Sequence, residues 1–271
     1  MIRVWRVSGQ ELTSMAQEQV RDVGTLKGCL SRLHGFPPRL QQLLHDGRIL
    51  EDAEALTAPV DVQLLLKPIL HGEAVLDDEL FDAIRHGHVD TVRVLLTADV
   101  HNKLGGLYPF SEQSRLALVE AVDIDSDAHH VEIVRALLEA AADANLRDRR
   151  GKAALTSASQ RGHLEIVQLL LQNGAAKDMR DSFGSTALIL ASSYGHLEVV
   201  RLLLQAQANL ELDNNHGENP LLRACTYGHL EVARALLEAG ADKGYCNRDG
   251  DTPLGAAAFE NWVWTVRIGK E

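Results

Sequence analysis

Gly228-His229-Leu230-Glu231-Val232-Ala233-Arg234-Ala235-Leu236-Leu237-Glu238-Ala239-Gly240-Ala241-Asp242 decides the fold, because its words recur upstream. Gly195-His196-Leu197-Glu198-Val199-Val200-Arg201-Leu202-Leu203-Leu204 is one copy, and Gly162-His163-Leu164-Glu165-Ile166-Val167-Gln168-Leu169-Leu170-Leu171 is another. A third is His129-His130-Val131-Glu132-Ile133-Val134-Arg135-Ala136-Leu137-Leu138. The histidines His130, His163, His196 and His229 are evenly spaced, and one fixed interval kept through every copy marks stacked repeats. In every copy the apolar residues fall at i, i+3 and i+4, which predicts a helix with one buried stripe. A single helix pair cannot bury that stripe alone, so such units stack into a solenoid with a continuous core.

The period, the Gly-His turn, the Leu-Leu-Leu run and the Gly-Ala-Asp stop resemble ankyrin repeats over about residues 76–261. Thr252-Pro253-Leu254 and Asn219-Pro220-Leu221 sit where that family opens its first helix. Asp77-Asp78 is expected to cap the first helix of repeat one, with Leu80, Ala83 and Ile84 facing inward. From His88 to His130 the spacing is 42, so about nine extra residues divide between a loop at 102–110 and a turn at 123–128. Insertions in repeat proteins map to exposed loops. The segment Leu104-Gly105-Gly106-Leu107-Tyr108-Pro109-Phe110 is therefore either a contact loop or an apolar plug over repeat two. Ala141 and Gln207 stand where Gly174 and Gly240 end the second helix, and a left-handed backbone there costs a non-glycine residue about 1 kcal/mol. After Phe259-Glu260-Asn261 the expected second helix gives way to Trp262-Val263-Trp264-Thr265-Val266-Arg267-Ile268, an apolar alternating tail that reads as a cap, a contact or a truncation.

Residues 1–68 follow other rules. Ile2-Arg3-Val4-Trp5-Arg6-Val7 alternates as a strand, Ser8-Gly9 turns, and a second strand follows at about 12–16. Val23, Leu26, Leu30 and Leu33 keep helical spacing until His34-Gly35 closes the helix. Gln41 to His45 reads as a short strand, Asp46-Gly47 as a hairpin turn, and 62–67 as a last strand. That order, ββαββ, is an α+β grasp around one helix. Gly35-Phe36-Pro37-Pro38, Gln41-Gln42-Leu43-Leu44, Gly47-Arg48 and Leu50-Glu51-Asp52 resemble ubiquitin. The expected architecture is thus an α+β ubiquitin-like β-grasp domain at 1–68, a linker at 69–75, an all-α ankyrin-repeat solenoid of about five repeats and an incomplete sixth at 76–261, and an atypical tail at 262–271.

Two departures from ubiquitin decide the kind of relative. Conjugation needs a free Gly-Gly tail, whereas this strand runs on into Lys67-Pro68-Ile69. Arg48 stands where ubiquitin carries its main chain-forming lysine, and a guanidinium is no nucleophile at neutral pH. The resemblance then implies a built-in mimic whose reading surface maps to Leu44, Gly47 and Leu65, beside His45. The alternative is that Leu44 or Leu65 packs against the linker or the first repeat.

The whole chain has 271 residues, 45% of them apolar, and a net charge of −11. Residues 1–68 hold eight Lys/Arg and eight Asp/Glu, so all of the net negative charge lies in the remainder of the chain. An acidic solenoid argues against nucleic acid or an anionic membrane as a partner. No apolar run is long enough to span a bilayer, and the first residues read as a strand rather than a signal peptide. Cys29, Cys225 and Cys246 form no CxxC pair, which points to a reducing compartment, cytoplasmic or nuclear.

No catalytic constellation is legible: there is no P-loop, GxSxG elbow, HExxH or dinucleotide fingerprint, and no cofactor is implied. Asp123-Ile124-Asp125-Ser126-Asp127 imitates a calcium loop but has Ala128 and Val134 where that loop needs Gly and Glu. The aligned histidines fall a repeat apart, too far for the ~2 Å bonds of one metal, and are expected to be structural. What the family resemblance implies is a groove formed by finger tips and the exposed side of each first helix. Carried over, it holds Arg149, Arg150, Lys152, Gln160 and Arg161, then Ser182, Phe183, Ser185, Ser193 and Tyr194. Asn215, His216, Glu218, Thr226 and Tyr227 follow, and Arg248, Asp249, Asp251, Phe259 and Glu260 end it. It runs from basic through aromatic to acidic. The expected function is an adaptor: the groove takes a protein client, and the N-terminal domain docks a ubiquitin reader such as a proteasome or ligase component. The alternative is a plain ankyrin scaffold or inhibitory subunit with an inert N-terminal domain.

Overall fold

The computed structural model describes residues 1–6, 9–38, 41–57, 59–66, 76–100, 116–124 and 128–259. Turn residue Ser8, the linker at 69–75, the loop at 102–110, Asp125, Ser126 and Asp127, and the chain from Glu260 onward lie outside them. The chain divides into two compact units, Met1–Ser114 and Arg115–Glu271.

In the first unit, strands β1 (Ile2–Arg6) and β2 (Glu11–Met15) precede helix α1 (Val23–His34), and β3 (Gln41–His45), β4 (Arg48–Ile49) and β5 (Val60–Leu66) follow it. The sheet order is β2-β1-β5-β3-β4, with β1 and β5 parallel and the other neighbours antiparallel. This is a β-grasp-like arrangement, with one strand more than the sequence suggested. β4 is only two residues long, and Asp46 and Gly47 both take positive φ (50° and 77°) to turn the chain into it. Asp22 starts α1 by accepting the Thr25 N–H at 2.7 Å, and the Thr25 bonds hold its carboxyl below the usual range. Val23, Leu26 and Leu30 lie on one stripe of α1 and are fully buried against Ile2, Val4, Leu43 and Val62. Each such side chain contributes about 1.5–3 kcal/mol of burial. Gln41 is buried among them because its Nε2 donates to the carbonyls of Phe36 (2.6 Å) and Lys27 (3.0 Å).

The same unit contains the first helical pair, α2 (Leu76–Arg85) and α3 (Val89–Val100). Leu80, Ala83 and Ile84 are buried as the spacing predicts. Because α2 begins at Leu76, Asp77 and Asp78 stand in its first turn rather than ahead of it as caps.

The second unit stacks α4 (Ala117–Asp123) with α5 (Ala128–Glu139), α6 (Ala154–Arg161) with α7 (Leu164–Gln172), α8 (Ala187–Tyr194) with α9 (Leu197–Gln205), and α10 (Pro220–Thr226) with α11 (Leu230–Glu238), followed by α12 (Pro253–Phe259). Equivalent positions fill the core: Leu118, Leu155, Leu188 and Leu221 from the first helices, and Ile133, Ile166, Val199 and Val232 from the second. The starts of the first helices differ in chemistry. Asn219 accepts the Leu222 N–H at 2.8 Å ahead of Pro220, and Thr186 accepts that of Ile189 at 3.3 Å. At Ala153, which has no capping oxygen, Thr156 Oγ1 instead accepts the Ala153 N–H at 3.0 Å.

The second helices end alike. Ala142 N–H donates to Leu137 O and Ala141 N–H to Leu138 O, a pattern repeated at Ala175/Gly174, Ala208/Gln207 and Ala241/Gly240. This is a Schellman end, which requires a left-handed residue. Ala141 (φ 63°) and Gln207 (φ 61°) adopt it without being glycine.

Candidate protein-binding groove

Four turns, set at the same interval as the histidines, position the finger tips. Asp148 Oδ1 accepts the N–H groups of Arg150 and Lys152, both at 2.8 Å. Asp181 does the same for Phe183 and Ser185, Asn214 for His216 and Glu218, and Asn247 for Asp249 and Asp251. Each turn closes at a glycine of positive φ three residues on: Gly151, Gly184, Gly217 or Gly250. A short polar side chain bonding to backbone two residues ahead fixes such a turn locally. Tips also bond between repeats, Asn215 N–H to Phe183 O (2.9 Å) and Asn215 Nδ2 to Ser182 O (3.1 Å). The result presents Arg149 and Arg150, Phe183, His216 and Asp249 as exposed side chains on bonded turns.

The histidines stand at the starts of the second helices, and two of them are tied back to the preceding repeat. His196 Nε2 lies 3.0 Å from Gln160 O, and His229 Nε2 lies 3.0 Å from Ser193 O. Their rings cover Gly162 and Gly195, where a Cβ would come within 2.5 Å of Nδ1. The Gly-His word is therefore an inter-repeat lock. Among the described residues no group of three or more His, Cys, Asp or Glu is placed to hold a metal.

Those locked rings in turn carry the exposed aromatics. Tyr194 stacks on His196 (6.3 Å, 6° between planes) and Tyr227 on His229 (6.5 Å, 28°). Tyr194 is 54% exposed, Tyr227 49% and Phe183 64%. Lys152 Nζ donates to Gln160 (2.8 Å), which donates to Tyr194 Oη (3.0 Å), so these three residues form one chain. Arg223 was not among the sequence candidates. Its guanidinium lies 4.5 Å from the Tyr227 ring centre, its Nε donates to Ser193 Oγ (2.9 Å), and its NH1 pairs with Glu218 (3.0 Å). Its place four residues before Tyr227 on one helix face was the available signal.

Several proposed charges are already engaged. Glu218 is held by Arg223 and by Asn214 Nδ2 (2.8 Å), and Arg161 Nε faces Asp123 at 3.6 Å. Asp251 Oδ2 accepts from Asn247 Nδ2 (3.2 Å), and Ser185 and Ser193 are buried. In the N-terminal unit, Leu44 pairs across the sheet with Ile49 and Leu65 with Gln42. Leu43 and Leu64 face the core, so Leu44, Ile49 and Leu65 share the opposite face. Ile49 is 54% exposed and Leu65 39%, while Leu44 is half-buried beside Gly47. Ile49 was not among the sequence candidates either; its place on the exposed face follows from the unexpected β4 pairing.

The family model described as ankyrin repeats (3 copies) matches residues 80–181, 118–214, 173–245 and 206–268. Spread over most of the chain, these matches agree with the stacked pairs and locked glycines, and the chain belongs to the ankyrin-repeat family. Ankyrin repeats generally mediate protein–protein interaction. A comparison with curated proteins gives no match. Among the described residues, no helix is long and apolar enough to cross a membrane.

Proposed function

We propose that this protein is a non-enzymatic adaptor whose ankyrin groove holds a protein segment while its β-grasp domain docks a ubiquitin-binding protein, such as a proteasome or ligase component. The observation that carries the first half is the row of exposed, pre-positioned aromatics, Phe183, Tyr194 and Tyr227. Tyr194 and Tyr227, held by stacking, lose little entropy on binding, and aromatic side chains are among those that protein hot spots favour. Arg149 and Arg150 stand at one end of the row, Asp249 and Asp251 at the other, so the client carries an acidic and a basic flank. Lys152, Arg161, His216 and Glu218 contribute by orienting these side chains or at the rim. The second half rests on the apolar patch of Leu44 and Leu65 around the Gly47 turn, to which Ile49 adds.

The working boundaries are 1–68 for the ubiquitin-like domain, 69–75 for the linker, 76–261 for the repeats and 262–271 for the tail, in a cytoplasmic or nuclear protein. The test is a pulldown from cell extract with the intact chain and with Leu44→Ala, Leu65→Ala. Loss of ubiquitin-reading components from the variant alone supports docking by the N-terminal domain. Recovery of the same partners by both leaves only the ankyrin scaffold.

A further inference from the structure

The first helical pair departs from the later copies at two positions and keeps the histidine at a third, and all three face the β-grasp domain. At the place of Ile166, Val199 and Val232, all buried and apolar, the first copy has Thr91. Thr91 is 1% exposed, and its Oγ1 donates to the carbonyl of His34 at 2.7 Å. Three of the later copies carry a glutamate that pairs with an arginine three residues on, Glu132–Arg135 (3.3 Å), Glu198–Arg201 (2.9 Å) and Glu231–Arg234 (3.4 Å), while Glu165 faces Arg135 at 3.5 Å. The first copy has the shorter Asp90, which instead forms an ion pair with Arg6 of β1. The third position is His88. Later histidines cover the glycine that ends the first helix of the preceding repeat; His88 covers Gly35, the left-handed residue that ends α1. A Cβ at Gly35 would overlap the His88 ring, as one at Gly162 would meet His196.

We propose that the C-terminal end of α1 is an intramolecular docking surface that serves α2–α3 as a preceding repeat, so that the β-grasp domain and the first helical pair fold and move as one piece. A terminal helix pair in a stack lacks a neighbour on one side and needs cover. Here the cover is keyed by a ring on a glycine, a buried hydroxyl on a helix-end carbonyl, and a cross-domain ion pair. The joint uses α1 and the end of β1, and it leaves Leu65 and Ile49 on the outer sheet face exposed. A ubiquitin-binding protein would therefore meet the β-grasp domain at a fixed orientation to the first pair, not on a loose tether.

The test is amide hydrogen exchange on the full chain with Thr91→Val, supported by Gly35→Ala and Gly9→Ala. Later copies carry isoleucine or valine at this position, so without a joint Thr91→Val is neutral or protective. With the joint, protection over 80–96 and over 29–36 falls together by about tenfold, the loss of one buried hydrogen bond. Gly9 has positive φ with open space around it, so Gly9→Ala strains the β-grasp domain without touching α3. Gly9→Ala therefore reads cooperativity from a site remote from the joint: both glycine variants should deprotect 80–96, Gly35→Ala the more because it also displaces the His88 ring. Unchanged or increased protection in Thr91→Val, or a Gly9→Ala chain that loses protection in the β-grasp strands but keeps it over 80–96, overturns the proposal.

Discussion

Replacing Ala141 and Gln207 by glycine should stabilise the repeat unit. Both residues sit at positive φ (63° and 61°) in helix ends whose hydrogen bonds match those at Gly174 and Gly240. An L residue in the left-handed region costs about 1–2 kcal/mol. Glycine removes that strain but returns roughly 0.4–1 kcal/mol through the freer unfolded chain. The net gain is about 0.5–1 kcal/mol per site, and because the sites are two repeats apart they should add to about 1–2 kcal/mol. With a urea dependence of about 2 kcal/mol/M, the midpoint rises by roughly 0.5–1 M at unchanged slope. Urea unfolding followed by helical circular dichroism measures it. Gln207→Ala is the control, since alanine keeps the strain and should leave the midpoint where it was. A double glycine variant that unfolds at or below the parent midpoint would refute the strain argument.

The same thermal or urea assay separates two glycines with similar φ. Gly162→Ala meets His196 and should cost more than about 2 kcal/mol, whereas Gly174→Ala has open space and pays only the backbone strain of about 1 kcal/mol; equal losses would remove the inter-repeat lock. Burial holds His34 and His88 below the usual histidine range. Arg6 adds to this for His34 and Asp90 opposes it; His86 and His34 add to it for His88 and Asp82 opposes it. Both rings therefore take up a proton less readily in the folded chain than in the unfolded one, and the stability this lends is present above pH ~6.5 and lost as pH falls below it. The drop in midpoint from pH 7.5 to 5.5 should shrink in His34→Gln, His88→Gln, and an identical pH slope would contradict the reading. Burial also pushes the Cys225 thiol up to about 11, while Cys246 is exposed. A thiol reagent at pH 8 should label Cys246 well before Cys225 in the folded chain, and equal rates would show that α10 is not buried as described.

The repeat was legible because its signals are local and periodic: a histidine at the same place in each copy, helical spacing of Leu and Val, and glycine at helix ends. The left-handed strain at Ala141 and Gln207 could be read by the same alignment. The Asp148, Asp181, Asn214 and Asn247 turns carry an equally regular signal, a short polar residue three before a glycine, which was there to be read. Other features depend on partners far away in sequence. The four-residue spacing of Arg223 and Tyr227 was likewise there to be read, but nothing local marks the bond from Arg223 to Ser193 of the preceding repeat. The exposure of Ile49 follows from a two-residue strand too short to show alternation. The contact of His88 with Gly35 joins two folds across a segment with no common period. Only the odd Thr91 and Asp90 in an otherwise regular copy hinted at it.

The measurement that bears most directly on the adaptor reading is capture of partners from cell extract by the intact chain, Arg149→Glu/Arg150→Glu and Phe183→Ala/Tyr227→Ala, each first shown to keep native helicity. These four side chains are exposed and lie outside the repeat core, so the fold should survive. A client held in the groove should fall by about tenfold or more in both variants, as expected when hot-spot side chains are lost. Capture of the same proteins at the same yield by all three chains would contradict a binding function for this face.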